Sequence, residues 1–573
     1  MKPYPSPRKA SLRLQICIGA VVATWSVFLC SAQPAMANTS SSVHAEETMS
    51  VQAAVESAQS RDLSARETQV DSQTDTFYRM RNYSLAWSGS DEAAARASTV
   101  RQVLENAGQQ GLRSADYLSS LAGDATDAGQ NAAEFDVAMT RAIIRYALDV
   151  RTGRTDPTNV YKDVSLPPRE FAAGSALAEA LQRKDLGAFL DDLPPPQPGY
   201  RALVDALAHY RAVAEKGGWP IVTARSEIRD RNGKPSALAV RLALEDPELA
   251  NLPAPDDGQV HDALLRFQQR NGIEPNGKLN AETLKALNVP AAVRVDEIIA
   301  NMERWRWLPR TFEARYILVN VPDQSLDYMD GQDSKLHSRI IIGKKATPTP
   351  IMKADVQAVV VNPPWDVPDD IAAAEILPKL QHDSDYLEKR NMILVDAPDG
   401  DPHGLTVDWK HMRAADLHYQ FQQVAGPGNA LGQLMLDAPN AFGVYMHGTS
   451  NPKLFLSDTR EVSHGCVRVE KIGALASLAL GPDEVGLYAG EGDDAIPDDV
   501  DPDIEIAIAS GGTERLPLTE PLAVYMLYWT AIGGPDGTAG FRPDRYDRDP
   551  PLLAQLKEPR TANDASDTSI PTQ

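Results

Sequence analysis

The sequence predicts a multidomain α+β protein in which helical units come first and a mainly β, sandwich-like unit with a helical insertion comes last. Three observations predict it. The chain has 573 residues, more than one hydrophobic core usually serves. Upstream of about residue 290 its apolar residues recur at helical spacing. From Tyr316 onward they gather instead in short runs rich in β-branched residues, bounded by Gly and Pro.

In chain order, residues 1–37 hold Lys2, Arg8, Lys9 and Arg13 and no acid, then an apolar run from Leu14 to Cys30, then Ala35-Met36-Ala37. This is the layout of a signal peptide with a small-residue cleavage site. An apolar run of about 17 residues is near the lower limit for a spanning helix, so an uncleaved leader would be a membrane anchor. Either way the rest of the chain lies outside the cytoplasm. Residues 38–76 are rich in Ser, Thr, Gln, Glu and Ala and read as a disordered spacer.

Residues 77–220 read as a helical domain: Phe135, Met139, Ile143, Tyr146 and Val150 follow helical spacing and Gly153 stops the run. A second helical unit occupies 239–290, with Val260, Leu264 and Phe267 as one stripe, Gly272 ending it, and Asn280 capping a helix that Pro290 terminates. The β-rich unit spans 314–490, with runs at 316–321, 339–342 and 356–361. It is interrupted by a polar, partly helical insertion at about 371–431 that could cover a site. Between two apparent strands, Asp493 to Asp503 form an acidic run without the glycine turn and terminal Glu of an EF-hand, so it reads as a solvated loop. Residues 504–557 complete the β-rich unit, and 558–573 form a polar tail expected to be disordered.

Removing the four positive charges of the leader takes the formal charge from −23 to −27, which argues against nucleic acid or an anionic membrane as a partner. Two of the three cysteines, Cys17 and Cys30, lie in the leader, leaving Cys466 as the one thiol of the exported chain. No internal disulfide is then possible. A single thiol in an oxidising compartment is either buried and inert or kept for its reactivity.

The densest chemical constellation surrounds that thiol. Tyr445-Met446-His447-Gly448-Thr449 is followed, fourteen positions after Thr449, by Ser463-His464-Gly465-Cys466-Val467-Arg468. An unperturbed thiol, with a pKa of about 8.5, is only a few per cent thiolate at neutral pH and needs a base to act as a nucleophile. His464 is two residues from Cys466, and in an extended strand the two side chains would sit about 7 Å apart. His447, from a neighbouring strand or turn, is the better base, with His464 shaping the site. Gly465 lets the chain turn beside the nucleophile, leaving the amides of Gly465 and Cys466 free to face an oxyanion. The unobstructed carbonyl of Gly448 could orient the imidazole, so no acid is needed as a third member. Cys466, His464 and His447 could each ligate zinc, but there is no second cysteine and no His-Glu-x-x-His pair, so neither metal nor cofactor is expected.

His447-Gly448 followed by Ser463-His464-Gly465-Cys466-Val467-Arg468 resembles the active-site signature of the L,D-transpeptidase family. The resemblance extends to Asn362-Pro363-Pro364-Trp365-Asp366-Val367-Pro368, to Leu377-Pro378-Lys379, to Gly426 through Gly432 and to Leu516 through Trp529, as in the long branch of that family with its capping insertion. Phe267-Gln268, Gly272 and Pro275-Asn276-Gly277 resemble a small peptidoglycan-binding module, and Tyr83 to Trp87 with Arg151-Thr152-Gly153-Arg154 resemble the branch's scaffold domain.

The resemblance implies that Cys466 is acylated by a tetrapeptide stem, with release of D-alanine, and that a second stem's amine takes the acyl group to give a 3→3 cross-link. It assigns His447 as base, Gly448 as orienting carbonyl, and His464, Gly465 and Cys466 as the backbone around the oxyanion. Tyr445, Trp365, Ser463 and Arg468 match positions lining the site, although Arg468 could instead be structural through a carboxylate partner. Donor and acceptor peptidoglycan stems are the implied partners and the periplasm the implied location; glycan strands and other wall-synthesis enzymes are partners left open. The same site would serve an L,D-carboxypeptidase or an enzyme that attaches or detaches a wall protein, and a noncatalytic wall-binding scaffold is the alternative of another class.

Overall fold

The computed structural model describes residues 38–59, 64–121, 132–224, 236–253, 255–397, 400–457, 459–481 and 501–560. The expected leader, the acidic run up to residue 500 and the tail from residue 561 lie outside them.

Most of the segment expected to be a disordered spacer lies in two α-helices, Asn38–Ala58 and Ala65–Met80. Val51, Val55 and Val70 are sparse, but each is buried, as are Phe77 and Tyr78, against the apolar helix Ala132–Thr152. Composition undervalued these helices because a few well-spaced valines are enough when a neighbouring helix supplies the rest of the core. Asp136, itself buried, accepts from Tyr78 Oη (2.7 Å) and from the backbone amides of Ala86 and Trp87, which ties the Tyr83–Trp87 turn to the domain.

The small helical unit is built on Asp257–Arg270 and Ala281–Leu287. A capping box between Asp256 and Gln259 starts the first helix, and Asn280 Oδ1 accepts from Thr283 N (2.8 Å) to start the second. Gln268 is fully buried; its amide accepts from Gly277 N and donates to Lys278 O and Thr283 Oγ1, so it stitches the intervening turn together.

Helix Ala291–Arg306 then connects the helical domain, the small helical unit and the C-terminal region. Glu303 accepts from Thr155 N (2.7 Å) in the helical domain and from Arg306 Nη1 (2.9 Å). Arg306 reaches Tyr200 Oη (2.8 Å), and Arg304 pairs with Asp549 (2.6 Å) near the C-terminus. All four charged groups are buried, which is tolerable only because each has an opposite charge or several acceptors.

The β-rich unit differs in detail from the expected sandwich: its two faces are one sheet that closes on itself. Going round the ring, the strands are Ile351–Val361, Glu514–Leu527, Arg315–Asn320, Ser325–Asp330, Asp333–Gly343, Val467–Val469, Met446–His447 and Leu434–Asp437, and the last pairs back with the first. Glu514–Leu527 is therefore integral to the ring, parallel to Arg315–Asn320 and antiparallel to Ile351–Val361. A register shift between Pro517 and Leu522 breaks its ladder, the kind of irregularity that bends a strand. From the helical domain, Val164–Ser165 adds to the edge beside Ile351–Met352. The inner face shares one core with the apolar helix Ile472–Leu480.

The insertion carries helices within Asp369–His382 and at Tyr386–Lys389, and also a small sheet of Trp365–Asp366, Phe421–Gln423 and Met392–Leu394. The second of the two apparent strands flanking the acidic run is a helix, Pro502–Ser510, with Asp501 as its N-cap accepting from Asp503 N (2.8 Å). Alternating isoleucines there resemble a strand, but the cap and the glycine Gly511 in a left-handed turn decide for helix.

Asn362 stands where the ring gives way to the insertion. Its φ is +47°, and its Nδ2 donates to Ile508 O (3.0 Å) and Gly512 O (3.2 Å) at the end of that helix. Asn362→Ala is expected to cost about 2–3 kcal/mol, from the lost hydrogen bonds plus left-handed strain. Asn362→Gly should recover about 1 kcal/mol of that by removing the strain alone. Urea denaturation of the two variants beside the parent checks the order.

Candidate active site

Two very short strands assemble the site. Met446–His447 runs parallel to Val467–Val469, with Met446 opposite Val467 and His447 opposite Arg468. Alternation along a strand sends Met446 and Val467 into the core and His447 and Arg468 to the other face. Cys466, two residues before Arg468, shares that face. Gly465 precedes it at φ +118°, a conformation that favours glycine, and so turns the chain at the thiol.

The backbone around Cys466 is held from several sides. Ser463 Oγ donates to Cys466 O (2.6 Å) and accepts from Gly465 N (3.1 Å). The Gly465 amide is thus occupied, contrary to the expectation that it would be free for an oxyanion; the serine two residues earlier competes for it. Among the described residues Cys466 N–H has no hydrogen-bond partner and is left as the candidate donor. Thr349, fully buried, donates from Oγ1 to Gly465 O (2.8 Å) and accepts from Gly343 N (3.0 Å). Tyr546 Oη donates to Gly343 O (2.7 Å) behind it.

His447 is buried, and its Nδ1 lies 2.7 Å from Gly448 O. A carbonyl can only accept, so Nδ1 carries the hydrogen and Nε2 keeps its lone pair. Gly448 is pinned in turn by its own amide donating to Leu434 O (3.0 Å) and by the close approach of Gly432, where a Cβ would lie 2.6 Å from Thr449 N. The Gly426–Gly432 motif therefore forms the wall behind the histidine.

Burial drives the electrostatics. It pushes His447 down to about 4, and the nearby Arg468 guanidinium adds to the effect, while the Gly448 and Leu431 carbonyls oppose it. Burial also raises the Cys466 thiol, against the backbone amide of Tyr445 and the Arg468 charge, which favour thiolate. Imidazole and thiol are both neutral here, and neither is hydrogen-bonded to the other. Arg468 is itself half-buried and depressed by burial. Among the described residues no carboxylate pairs with it, and its Nε is buried without an acceptor. The structural alternative for Arg468, a carboxylate partner, is therefore absent there.

The His464 side chain pairs with the insertion, its Nε2 2.8 Å from Glu375 Oε1. Tyr445 contributes its backbone, which also accepts from Val467 N (2.9 Å). Trp365 sits on the small sheet of the insertion and packs on the insertion's own core, not on the Cys466 cluster. No cluster of three or more metal-ligating side chains occurs among the described residues. Sequence reasoning missed Thr349, Tyr546 and Glu375; Pro348 and Pro350 mark a turn around Thr349, but nothing local marks its contact with Gly465.

Residues 314–492 match the family described as the L,D-transpeptidase catalytic domain. The chain carries an L,D-transpeptidase catalytic domain. Residues 72–207 match a scaffold domain and residues 254–287 the family described as "Putative peptidoglycan binding domain". A Haemophilus influenzae protein named "Putative L,D-transpeptidase" is 34% identical over 184 residues, which is 32% of this chain and 37% of that protein. The L,D-transpeptidase domain thus contains both halves of the constellation, and the strand Glu514–Leu527 that completes its ring lies beyond the matched residues.

Thr349→Val keeps the shape but strands Gly343 N–H and Gly465 C=O. It is expected to destabilise the L,D-transpeptidase domain by about 2–3 kcal/mol, read as a lowered urea midpoint. For His447, the folded-state value lies below the ordinary one, so the stability it contributes is fully present above about pH 6.5 and is lost as pH falls toward about 4. The loss is at most about 3 kcal/mol. Arg468→Gln should raise the histidine and shrink that loss, which denaturation midpoints at pH 7 and pH 5 would register.

Proposed function

We propose that this protein is an exported peptidoglycan L,D-transpeptidase that forms 3→3 cross-links through a thioester on Cys466. The observation that carries the reading is a neutral, buried imidazole on the strand paired with the one that follows Cys466, the one thiol of the described residues, with Nδ1 held by a carbonyl and Nε2 left basic. Export is read from the leader, and wall substrates from the scaffold and peptidoglycan-binding matches.

Since the thiol is raised and the imidazole lowered, the proton leaves sulfur during attack and not beforehand. The sulfur attacks the carbonyl of diaminopimelate at its L-centre while His447 Nε2 takes the thiol proton. The oxyanion forms toward Cys466 N–H. On collapse the imidazolium returns the proton to the amine of D-alanine, which leaves, and a thioester remains. The side-chain amine of a second stem then attacks the thioester, His447 takes its proton, and sulfur leaves to recover the thiol. Arg468, on the same face and with no carboxylate partner among the described residues, offers a site for a stem carboxylate.

Incubation of the full chain with disaccharide tetrapeptides is expected to yield dimers and free D-alanine, and Cys466→Ala is expected to reduce release by at least about a thousandfold. Tripeptides without dimers would indicate a carboxypeptidase. Equal D-alanine release by Cys466→Ala would leave only a noncatalytic wall-binding role. Intact mass after exposure to a carbapenem should show one adduct on the parent and none on that variant.

A further inference from the structure

The insertion over the L,D-transpeptidase domain is a separate body with a very narrow attachment. Its buried residues, among them Ile371, Leu377, Leu387, Trp409 and Phe421, form a cluster of their own, distinct from the core of the ring. The chain enters it through Asn362 at φ +47° followed by Pro363-Pro364, and leaves it through Gly426 at φ +145° followed by Pro427-Gly428. Away from those two connections, one side-chain hydrogen bond or ion pair joins the insertion to the rest of the protein among the described residues. It runs from Glu375 Oε1 to His464 Nε2, at 2.8 Å.

Both ends of that contact are specific places. Glu375 lies in a π-helical turn, Ala372–Ile376, set between α-helical turns; such turns shift the facing of side chains and recur at functional sites. His464 is two residues before Cys466 and one before Gly465 at its positive φ. The two side chains are 39% and 33% exposed, so the pair is screened by water and can open and close. A body with its own core, two jointed connections and one reversible polar contact has the makings of a locally opening unit.

We propose that Glu375 is a positioning residue that, through His464, holds the insertion closed over the thioester and thereby sets the choice between amine and water as acceptor. The inference rests on the thioester chemistry proposed above. The thioester carbonyl accepts either an amine nitrogen, giving an amide and the thiol, or a water oxygen, giving a carboxylic acid and the thiol. A closed insertion excludes bulk water, whereas an open one admits it.

The test uses the full chain, as the parent, Glu375→Ala and Glu375→Gln, with two readouts. With disaccharide tetrapeptides, the ratio of dimer to tripeptide product is expected to fall by roughly three- to fivefold in Glu375→Ala, the factor that a partly exposed charged contact is worth. Glu375→Gln, which keeps an acceptor oxygen for the imidazole, is expected to recover part of the loss. Without any substrate, amide hydrogen exchange across 365–423 should quicken by a similar factor in Glu375→Ala while the ring strands are unchanged.

An unchanged product ratio with unchanged exchange overturns the proposal. So does an equal loss of both products with the insertion as protected as in the parent, since that is a general structural effect. If Glu375→Ala fails to fold, Glu375→Gln and its exchange pattern decide. A parent that releases no D-alanine while exchange still quickens in the variant defeats the proposed chemistry and leaves the contact standing, so the two failures are distinguishable.

Discussion

The parallel pairing of Met446–His447 with Val467–Val469 is the constraint on which the site depends. The two strands hold only two and three residues, so they cannot define their own register; it is imposed by Met446 and Val467, both wholly buried in the ring. A slip of one residue would send His447 and Arg468 into the core and the apolar pair outward, which burial of charge and imidazole forbids. Leu434–Asp437 on one side and Asp333–Gly343 on the other lock the pair into the closed sheet. Ring closure, and with it the strand Glu514–Leu527 far along the chain, thereby becomes a condition for the site.

Burial at that site does two opposed things. It strips the imidazole and the thiol of water and so favours both neutral forms, which leaves the histidine unprotonated at neutral pH and the thiol without a preformed thiolate. Arg468 acts on both neighbours with one charge, depressing the histidine and favouring the thiolate. A half-buried guanidinium with no carboxylate partner among the described residues is costly to hold there.

The remaining domains are joined to this ring by buried charge. Glu303, Arg304 and Arg306 on one helix contact the helical domain and the C-terminal helix region, Glu303 pairs with Arg306, and Arg154 reaches the backbone of Gln555 and Glu558 from the helical side. Breaking one member would strand the others in a dry interface, so losing a single partner is costly even where apolar packing would hold the domains as well. The insertion stands in contrast, with its own core and, away from its two connections, a single side-chain polar bridge among the described residues.

Much was legible along the chain wherever local chemistry decided it. The helix ending at Gly153, the Asn280 cap, the β-branched runs of the ring and the Ser463–Arg468 motif all follow from neighbours a few residues apart, and the family resemblance rests on those same stretches. The helices at 38–58 and 65–80 were not legible, because their sparse valines mean little until a partner helix completes the core. The helix at 502–510 was hidden by an alternation that its cap and its terminal glycine override. Sequence by itself determined which residue types carry the chemistry; only the tertiary structure decided that Ser463 consumes the Gly465 amide, that Thr349 holds Gly465, and that Glu375 meets His464. Those are contacts between segments separated by dozens of residues or set by the exact turn at one glycine, and no local pattern encodes which distant group fills an unpaired donor or acceptor.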